Sequence, residues 1–157
     1  MLVLDEDYVW QKYSRTQADW LNMEVVPVNN EECFFSLLQE CGPEGFYHNR
    51  TTLLKAYVNK NLYTIGGIPE NSDDPKWSQY YDFPAAYRSE DGWTRMQILP
   101  CFCVVNGTTC EILWVHERIR KKGFATMMLE ALEVNAVNQP LPESKIFWKK
   151  YLERIAY

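Results

Sequence analysis

Residues 110–132 of the chain read CEILWVHERIRKKGFATMMLEAL. The start of this stretch predicts a strand. The part from about Phe124 predicts a helix whose buried face holds four residues at helical spacing: Met127, Met128, Ala131 and Leu132. A basic turn over residues 120–125 joins the two. This order favours an anion site, because the first helical amides have no intrahelical partners and the helix dipole adds positive potential.

The turn matches neither of two common phosphate-binding motifs. It lacks the G-x-x-x-x-G-K-[ST] spacing of a P-loop, and a single glycine does not make a dinucleotide fingerprint. Gly123 nevertheless permits close approach of a phosphate to the backbone, and Ala125 keeps the next turn small. Lys121 and Lys122 add positive charge that a diphosphate would use.

The elements around this stretch predict the fold class. Residues 20–28 predict a strand, and Asn29 and Asn30 offer the cap of a helix that ends at Gly42-Pro43. The predicted buried face of that helix consists of Cys33, Phe34, Leu37, Leu38 and Cys41. Four further strands are predicted in two hairpins: Thr52–Val58 and Leu62–Ile68 around Asn59-Lys60-Asn61, and Met96–Val105 and Cys110–His116 around Asn106-Gly107.

A last helix from about Ser144 offers five large apolar residues: Phe147, Trp148, Tyr151, Leu152 and Ile155. Hairpin turns join antiparallel neighbours, so the order of elements predicts a mixed α/β (α+β) domain. Its central sheet is expected to be mostly antiparallel and flanked by helices.

Residues 69–93 differ in character from the rest. They carry six acidic residues against two basic ones, and six aromatic residues are interleaved: Trp77, Tyr80, Tyr81, Phe83, Tyr87 and Trp93. The pattern predicts a long, partly ordered insertion, and such loops in compact domains are often functional.

Length and composition favour one domain over residues 1–157. The chain is 46% hydrophobic and 15% aromatic, which excludes a disordered protein. It has no apolar run near the about 20 residues that cross a bilayer, so no membrane association is expected. The amino terminus does not resemble a signal peptide. Five irregularly spaced cysteines make no disulfide framework, which predicts an intracellular protein of the cytoplasm or nucleus.

Charge is unevenly distributed along the chain. Residues 1–117 hold 8 Lys/Arg against 17 Asp/Glu, a net −9, whereas residues 118–157 hold 8 against 4, a net +4. A basic final quarter in an acidic protein indicates a local anion site. It does not indicate direct nucleic-acid binding, which usually needs a broad basic face.

Metal binding is not expected either. Cys101, Cys103 and Cys110 with His116 lack a standard zinc spacing. Cys101 and Cys103 alternate along a predicted strand and would point together into a core.

The basic turn resembles the pyrophosphate loop of the GNAT N-acetyltransferase superfamily, R/Q-x-x-G-x-G/A, with Arg120, Gly123 and Ala125 at its three defined positions. Over residues 110–151 the chain is also similar to the cohesin-establishment (Eco/ESCO-type) lysine acetyltransferases. Trp114-Val115-His116 before the turn and residues 138–147, NQPLPESKIF, look like their I-W-V and S-Q-P-T-P-D-G-K-x-F segments. Glu143 and Ser144 replace the Asp and Gly of that second segment.

The resemblance implies a GNAT-like fold and acetyl-CoA as co-substrate, without a metal. The strand Leu113–Val115 would bind the pantetheine arm, and the amides of residues 120–125 would hold the pyrophosphate. A backbone N–H near Val115 would polarise the thioester carbonyl. The implied cofactor-binding residues are Leu113, Trp114, Val115, Arg120, Lys121, Lys122, Gly123, Phe124, Ala125, Ser144 and Phe147.

Three residues are the catalytic candidates that the resemblance implies. Glu111 and Glu143 would bracket the acceptor amine, and either would serve as general base. Many family members use a tyrosine on the last helix as general acid. Trp148 stands at that position here, and Tyr151 is the nearest phenol.

The resemblance therefore predicts an acetyl-CoA-dependent N-acetyltransferase that acts on a cationic amine, in the first instance a protein lysine. Two alternatives remain open at this point. One is a small-amine acetyltransferase of the polyamine type, which suits the acidic insertion equally well. The other is a catalytically silent GNAT-like module that binds a partner through that insertion.

Overall fold

The computed structural model describes residues 20–46, 50–69, 85–89, 92–99, 101–116, 120 and 123–156. Within them lie seven strands: β1 Trp20–Pro27, β2 Leu62–Pro69, β3 Ala85–Ser89, β4 Gly92–Ile98, β5 Cys101–Asn106, β6 Thr109–Val115 and β7 Ala136–Val137. The helices are α1 Glu31–Phe46, α2 Arg50–Val58, α3 Phe124–Ala131 and α4 Lys145–Ile155, and a 3₁₀ turn covers Pro142–Ser144. None of these helices is long and apolar enough to cross a membrane.

The strands form one sheet around β2. One edge of β2 pairs with β1, and its other edge pairs first with β5 and then with β4. Beyond β5 the sheet continues through β6 to β7, and β3 pairs with β4. Every pairing is antiparallel except that of β6 with β7. The prediction of a mixed α/β domain with a mostly antiparallel sheet is therefore confirmed.

A break between β4 and β5 lets both strands share one edge of β2. Gly66 pairs with Ile98 and Tyr63 with Cys103, so the β4–β5 line holds two more residues than β2 opposite it. The buried hydroxyl of Thr64 donates to the carbonyl of Cys101 at 2.7 Å. This bond satisfies a backbone group that the interrupted ladder leaves over.

Helices cover both faces of the sheet, which explains why five successive residues of β5 are buried. One core lies under α3 and α4: Ile65, Leu99, Cys101, Cys103, Val105, Cys110, Val115, Phe124, Met128, Leu129, Val134, Trp148 and Tyr151. The other lies under α1 and α2: Val28, Cys33, Phe34, Leu37, Leu53, Ala56, Leu62, Ile98, Phe102 and Val104. Cys101 and Cys103 face the same core, as their alternation predicts. Burial raises the pKa of the Cys101 thiol to about 12.

The first helix begins where the sequence predicts and ends later. The side chain of Asn30 accepts the amide of Cys33 at 2.8 Å and so caps α1. The predicted stop at Gly42-Pro43 is wrong, because α1 continues to Phe46. Proline removes one donor and weakens a helix at that point, but it does not prevent the following amides from bonding.

The predicted strand Thr52–Val58 is wrong, because these residues belong to α2. Leu53 and Ala56 are the buried pair, and their spacing of three is helical. The predicted hairpin turn is the end of this helix. Lys60 has a positive φ of 63°, and Asn61 donates to the carbonyl of Ala56 at 2.8 Å, as in a Schellman cap.

Two other expectations need correction. The predicted insertion contains a strand, β3, which pairs with β4, while residues 70–84 and 90–91 lie outside the described part. Of the predicted buried face, Met128 is buried and Met127 and Leu132 are half-buried against the same core. Ala131 is exposed, and Phe124 and Leu129 are buried as well. Arg154 pairs with Glu130 and links α4 to α3.

Tyr151 is 4% exposed and ties α4 to the end of α3 from inside the core. Its hydroxyl donates to the carbonyl of Val134 at 2.6 Å. Burial is the main cause that raises the pKa of Tyr151 above its ordinary value.

Replacing Lys60 by glycine should stabilise the protein, because glycine adopts a positive φ without steric cost. We expect a gain of about 0.5–1 kcal/mol in the free energy of unfolding, measured by urea denaturation. Asn59→Gly is the matched control, since Asn59 has no positive φ and the change adds only unfolded-state entropy. Destabilisation by both variants would contradict the Schellman cap.

Tyr151→Phe should lower the free energy of unfolding by about 1–2 kcal/mol at neutral pH, because it leaves the Val134 carbonyl buried without a donor. The raised pKa means that the folded state keeps this proton longer than the unfolded chain does. The contribution of Tyr151 should therefore be complete below about pH 10 and decline above it. Tyr57→Phe is the control, since no described residue accepts the Tyr57 hydroxyl. Equal losses in the two variants would show that the Val134 bond contributes nothing.

Candidate functional site

β6 and β7 separate soon after they meet, and this fork is the first feature of the candidate site. Only Thr109 and Cys110 pair with β7, and the amide of Asn138 donates the last bond to Cys110 at 2.9 Å. Beyond that point no described strand pairs with this edge of β6 over residues 111–115. The edge therefore offers backbone donors and acceptors to a ligand.

A β-bulge at Glu111 marks the start of the fork. Val105 pairs with Cys110 and Val104 with Ile112, so Glu111 has no residue opposite it on β5. Bulges re-aim a side chain out of the regular alternation. Glu111 is half-buried, and its Oε2 accepts a hydrogen bond from Nδ2 of Asn138 at 2.8 Å.

The start of α3 is the second feature. Gly123 is the N-cap of the helix with φ +88°, and as a glycine it has no side chain to cap the first turn. The first turn carries no acidic residue either. Among the described residues, no side chain is recorded as accepting from the helix amides at Phe124 and Ala125, and amides without an acceptor are what an anion binds at a helix start.

Arg120 links the helix start to β6. Its Nε donates to the carbonyl of Val115, the last residue of β6, at 2.9 Å. The side chain is exposed, and among the described residues this bond uses only one of its nitrogen atoms. The turn is therefore anchored to the strand end while the rest of the guanidinium is left for other acceptors.

The predicted cofactor-binding residues of β6 lie on alternate faces of the sheet. Leu113 and Val115 pack on the α3/α4 side. Trp114 packs on the other side, where it stacks on Phe102 with ring centroids 5.7 Å apart and meets the His116 ring edge-on at 5.8 Å. The sequence predicts all three as cofactor-binding residues. In the structure they follow one another on β6, but the side chain of Trp114 lies on the opposite face of the sheet from those of Leu113 and Val115.

The segment after the fork holds three further predicted residues. Glu143 is exposed in the 3₁₀ turn, and no described residue forms an ion pair with it. Ser144 donates from Oγ to the carbonyl of Leu141 at 2.8 Å, which is a local turn contact. Phe147 is half-buried and stacks on Tyr151 at 6.4 Å.

Tyr151 is buried in the core, where its hydroxyl donates a hydrogen bond to the carbonyl of Val134. Its predicted role as general acid stays a prediction. Lys121 and Lys122 lie outside the described residues. Within the described part of the chain, no group of three or more His, Cys, Asp or Glu side chains is arranged to hold a metal ion.

Two features of the site were not predicted from the sequence. Asn138 was part of the recognised segment, but it was assigned no role. Strand β7 was missed because two residues carry no periodic signal. Their pairing with Thr109 and Cys110 is what creates the fork.

No known family model matches this chain, and neither a curated protein nor a solved structure does so. The site therefore consists of an edge of β6 that no described strand pairs with and of Arg120, which bonds to the end of that strand shortly before α3 begins at Phe124. A bulged carboxylate stands at the inner end of that edge.

Proposed function

We propose that this protein is an acetyl-CoA-dependent N-acetyltransferase of the GNAT kind. The observation that carries the proposal is the fork: β6 has an edge that no described strand pairs with, and Arg120, shortly before the start of α3, bonds to the end of this strand. An extended, amide-containing ligand with a diphosphate at one end suits both parts at once.

The open edge of β6 suits the pantetheine arm. Two amide groups in an extended chain pair with a strand edge as an added strand would, because each donor and acceptor finds a backbone partner. Residues 111–115 supply such an edge next to buried side chains of the α3/α4 core, such as Val115. The resemblance of this strand to the family's pantetheine-binding strand points the same way.

The start of α3 suits the pyrophosphate. The amides of residues 123–125 and the helix dipole favour a negative group there. Arg120 adds a cation, and the net +4 of residues 118–157 raises the potential around it. Gly123 has a positive φ and is exposed, and a Cβ added there would meet no atom within 4 Å, so there is space beside this residue.

Glu111 is the better placed of the two candidate bases. Glu111 is half-buried and is the first residue of β6 after the pairing with β7 ends, whereas Glu143 is exposed. In the reaction, the carboxylate takes a proton from the acceptor ammonium, and the neutral nitrogen attacks the thioester carbonyl. The C–N bond forms and the C–S bond breaks, and the second proton that the attacking nitrogen has to lose passes through water to the departing thiolate. Tyr151, whose hydroxyl donates to the carbonyl of Val134, stays a predicted general acid.

The proposed acceptor is a primary amine, in the first instance a protein lysine. The net −9 of residues 1–117 supports a cationic acceptor, because an acidic surface raises its local concentration. Turnover of a lysine peptide against a polyamine separates the protein acceptor from the small-amine alternative. Acetyl-CoA binding without turnover of any amine would indicate the silent binding module.

Gly123→Asp should weaken acetyl-CoA binding far more than Gly123→Asn does. Asparagine and aspartate have nearly the same shape and both tolerate positive φ, so the two variants differ mainly in charge at the helix start. We expect the aspartate to lower affinity about tenfold or more relative to asparagine, measured by calorimetric titration.

Thermal unfolding of both Gly123 variants controls for a shared folding defect. A ratio of affinities near one between the folded variants would remove the pyrophosphate from this turn. The difference should also shrink in high salt, because screening weakens the added repulsion.

Glu111→Gln should lower turnover about 10²–10⁴-fold at neutral pH while leaving acetyl-CoA affinity unchanged, because the amide keeps the shape but cannot take a proton. The loss should shrink at high pH, where more acceptor amine is already neutral. Steady-state kinetics with one acceptor across pH checks both statements.

Glu143→Gln is the matched comparison for this variant. We expect a smaller loss, since Glu143 is exposed in the 3₁₀ turn, whereas Glu111 is half-buried on β6. Full activity of Glu111→Gln together with a large loss in Glu143→Gln would transfer the role of base to Glu143.

A further inference from the structure

Asn138 forms two hydrogen bonds to consecutive residues of β6 where β7 leaves it. Its backbone amide donates to the carbonyl of Cys110 at 2.9 Å, and its side-chain Nδ2 donates to Oε2 of Glu111 at 2.8 Å. One residue therefore ends the parallel pairing and also holds the bulged carboxylate. The next residue, Gln139, has a positive φ of 50° and turns the chain away.

The side-chain bond limits the freedom of Glu111. A glutamate on a strand has several accessible rotamers, and a hydrogen bond from a fixed donor selects among them. The backbone bond to Cys110 fixes Asn138 itself, so the donor is held by the sheet. Oε2 is occupied by this bond, and no described residue donates to Oε1, which is thus left to accept a proton.

We propose that Asn138 is a positioning residue for acetyl transfer, which orients the Glu111 carboxylate along the open edge of β6. This inference rests on the proposed function. Asn138 acts through Glu111 and takes no proton itself. Its loss should therefore reduce kcat and leave the affinity for acetyl-CoA unchanged.

Asn138→Asp tests the contact with an isosteric change. The variant replaces the donor by a second carboxylate, and two adjacent carboxylates disfavour a shared ionised state. The acidic limb of the kcat/KM profile should move to higher pH by about one unit, which lowers the rate about tenfold at pH values below both limbs and restores it above them. The acceptor's own titration is common to all variants and cancels.

Asn135→Asp is the matched control. It adds the same charge at the other end of β7, where Asn135 is exposed and its backbone amide donates to Thr108 at 2.9 Å. This variant should leave the acidic limb in place. Asn138→Ala is a second variant for the case that the aspartate misfolds, and it should lower kcat and move the limb in the same direction by less, because it removes the donor without adding a charge.

The double variant Glu111→Gln/Asn138→Asp shows whether Asn138 acts through Glu111. It should be no slower than Glu111→Gln alone, since the carboxylate that Asn138 orients is already absent. Additive losses, or equal acidic limbs for Asn138→Asp and Asn135→Asp, would overturn the positioning role.

Carbon NMR of glutamate carboxyls separates this inference from the proposed function. The resonance absent in Glu111→Gln identifies Glu111, and Asn138→Asp should raise the pH midpoint of that resonance. An unmoved midpoint in an active enzyme would refute the contact alone. A moved midpoint in a protein that acetylates no amine would refute the proposed function, and with it the role of Asn138 in transfer.

Discussion

The site depends on a mismatch in the length of two pairings. β6 pairs with β5 over six positions, but it pairs with its parallel neighbour β7 over only two. A strand whose partner leaves early keeps its own geometry and loses its hydrogen bonds on one side. The unpaired backbone groups then have to be satisfied by water or by a ligand. The bulged carboxylate of Glu111 stands at the start of this edge, and Arg120 bonds to the carbonyl of Val115 at its end.

The opened edge keeps its geometry because the sheet behind it is supported on both faces. β5 is buried throughout its first five residues, between the α1/α2 core and the α3/α4 core. β6 pairs with β5. The hydrogen bond from Tyr151 to the carbonyl of Val134 fixes the segment between α3 and β7 to α4. Functional groups carried by such a framework are positioned more precisely than groups on free loops.

The sequence was informative where one local signal decides the structure. Asn30 as a cap and the turn at Asn106-Gly107, where Gly107 has φ +65°, are of this kind. It failed where two structures share one local pattern. Asn59-Lys60-Asn61 suits a hairpin turn and a helix cap alike, and the burial of Leu53 and Ala56 decides between them. Strand β7 and the hydrogen bonds of Asn138 depend on contacts distant in sequence, and a polar residue near a proline is ordinary turn chemistry.

The bulge at Glu111 has a consequence for how this strand tolerates change. Cys110 and Val115 both face the α3/α4 core although five positions separate them, and a regular strand would point them to opposite faces. The extra residue at the bulge shifts the alternation by one, so that Cys110 and Val115 face the same core. Deleting it would reverse one half of β6, so the packing requires that a residue be present at this position. It does not specify which one, and chemistry at position 111 is therefore free to diverge while the fold stays constant.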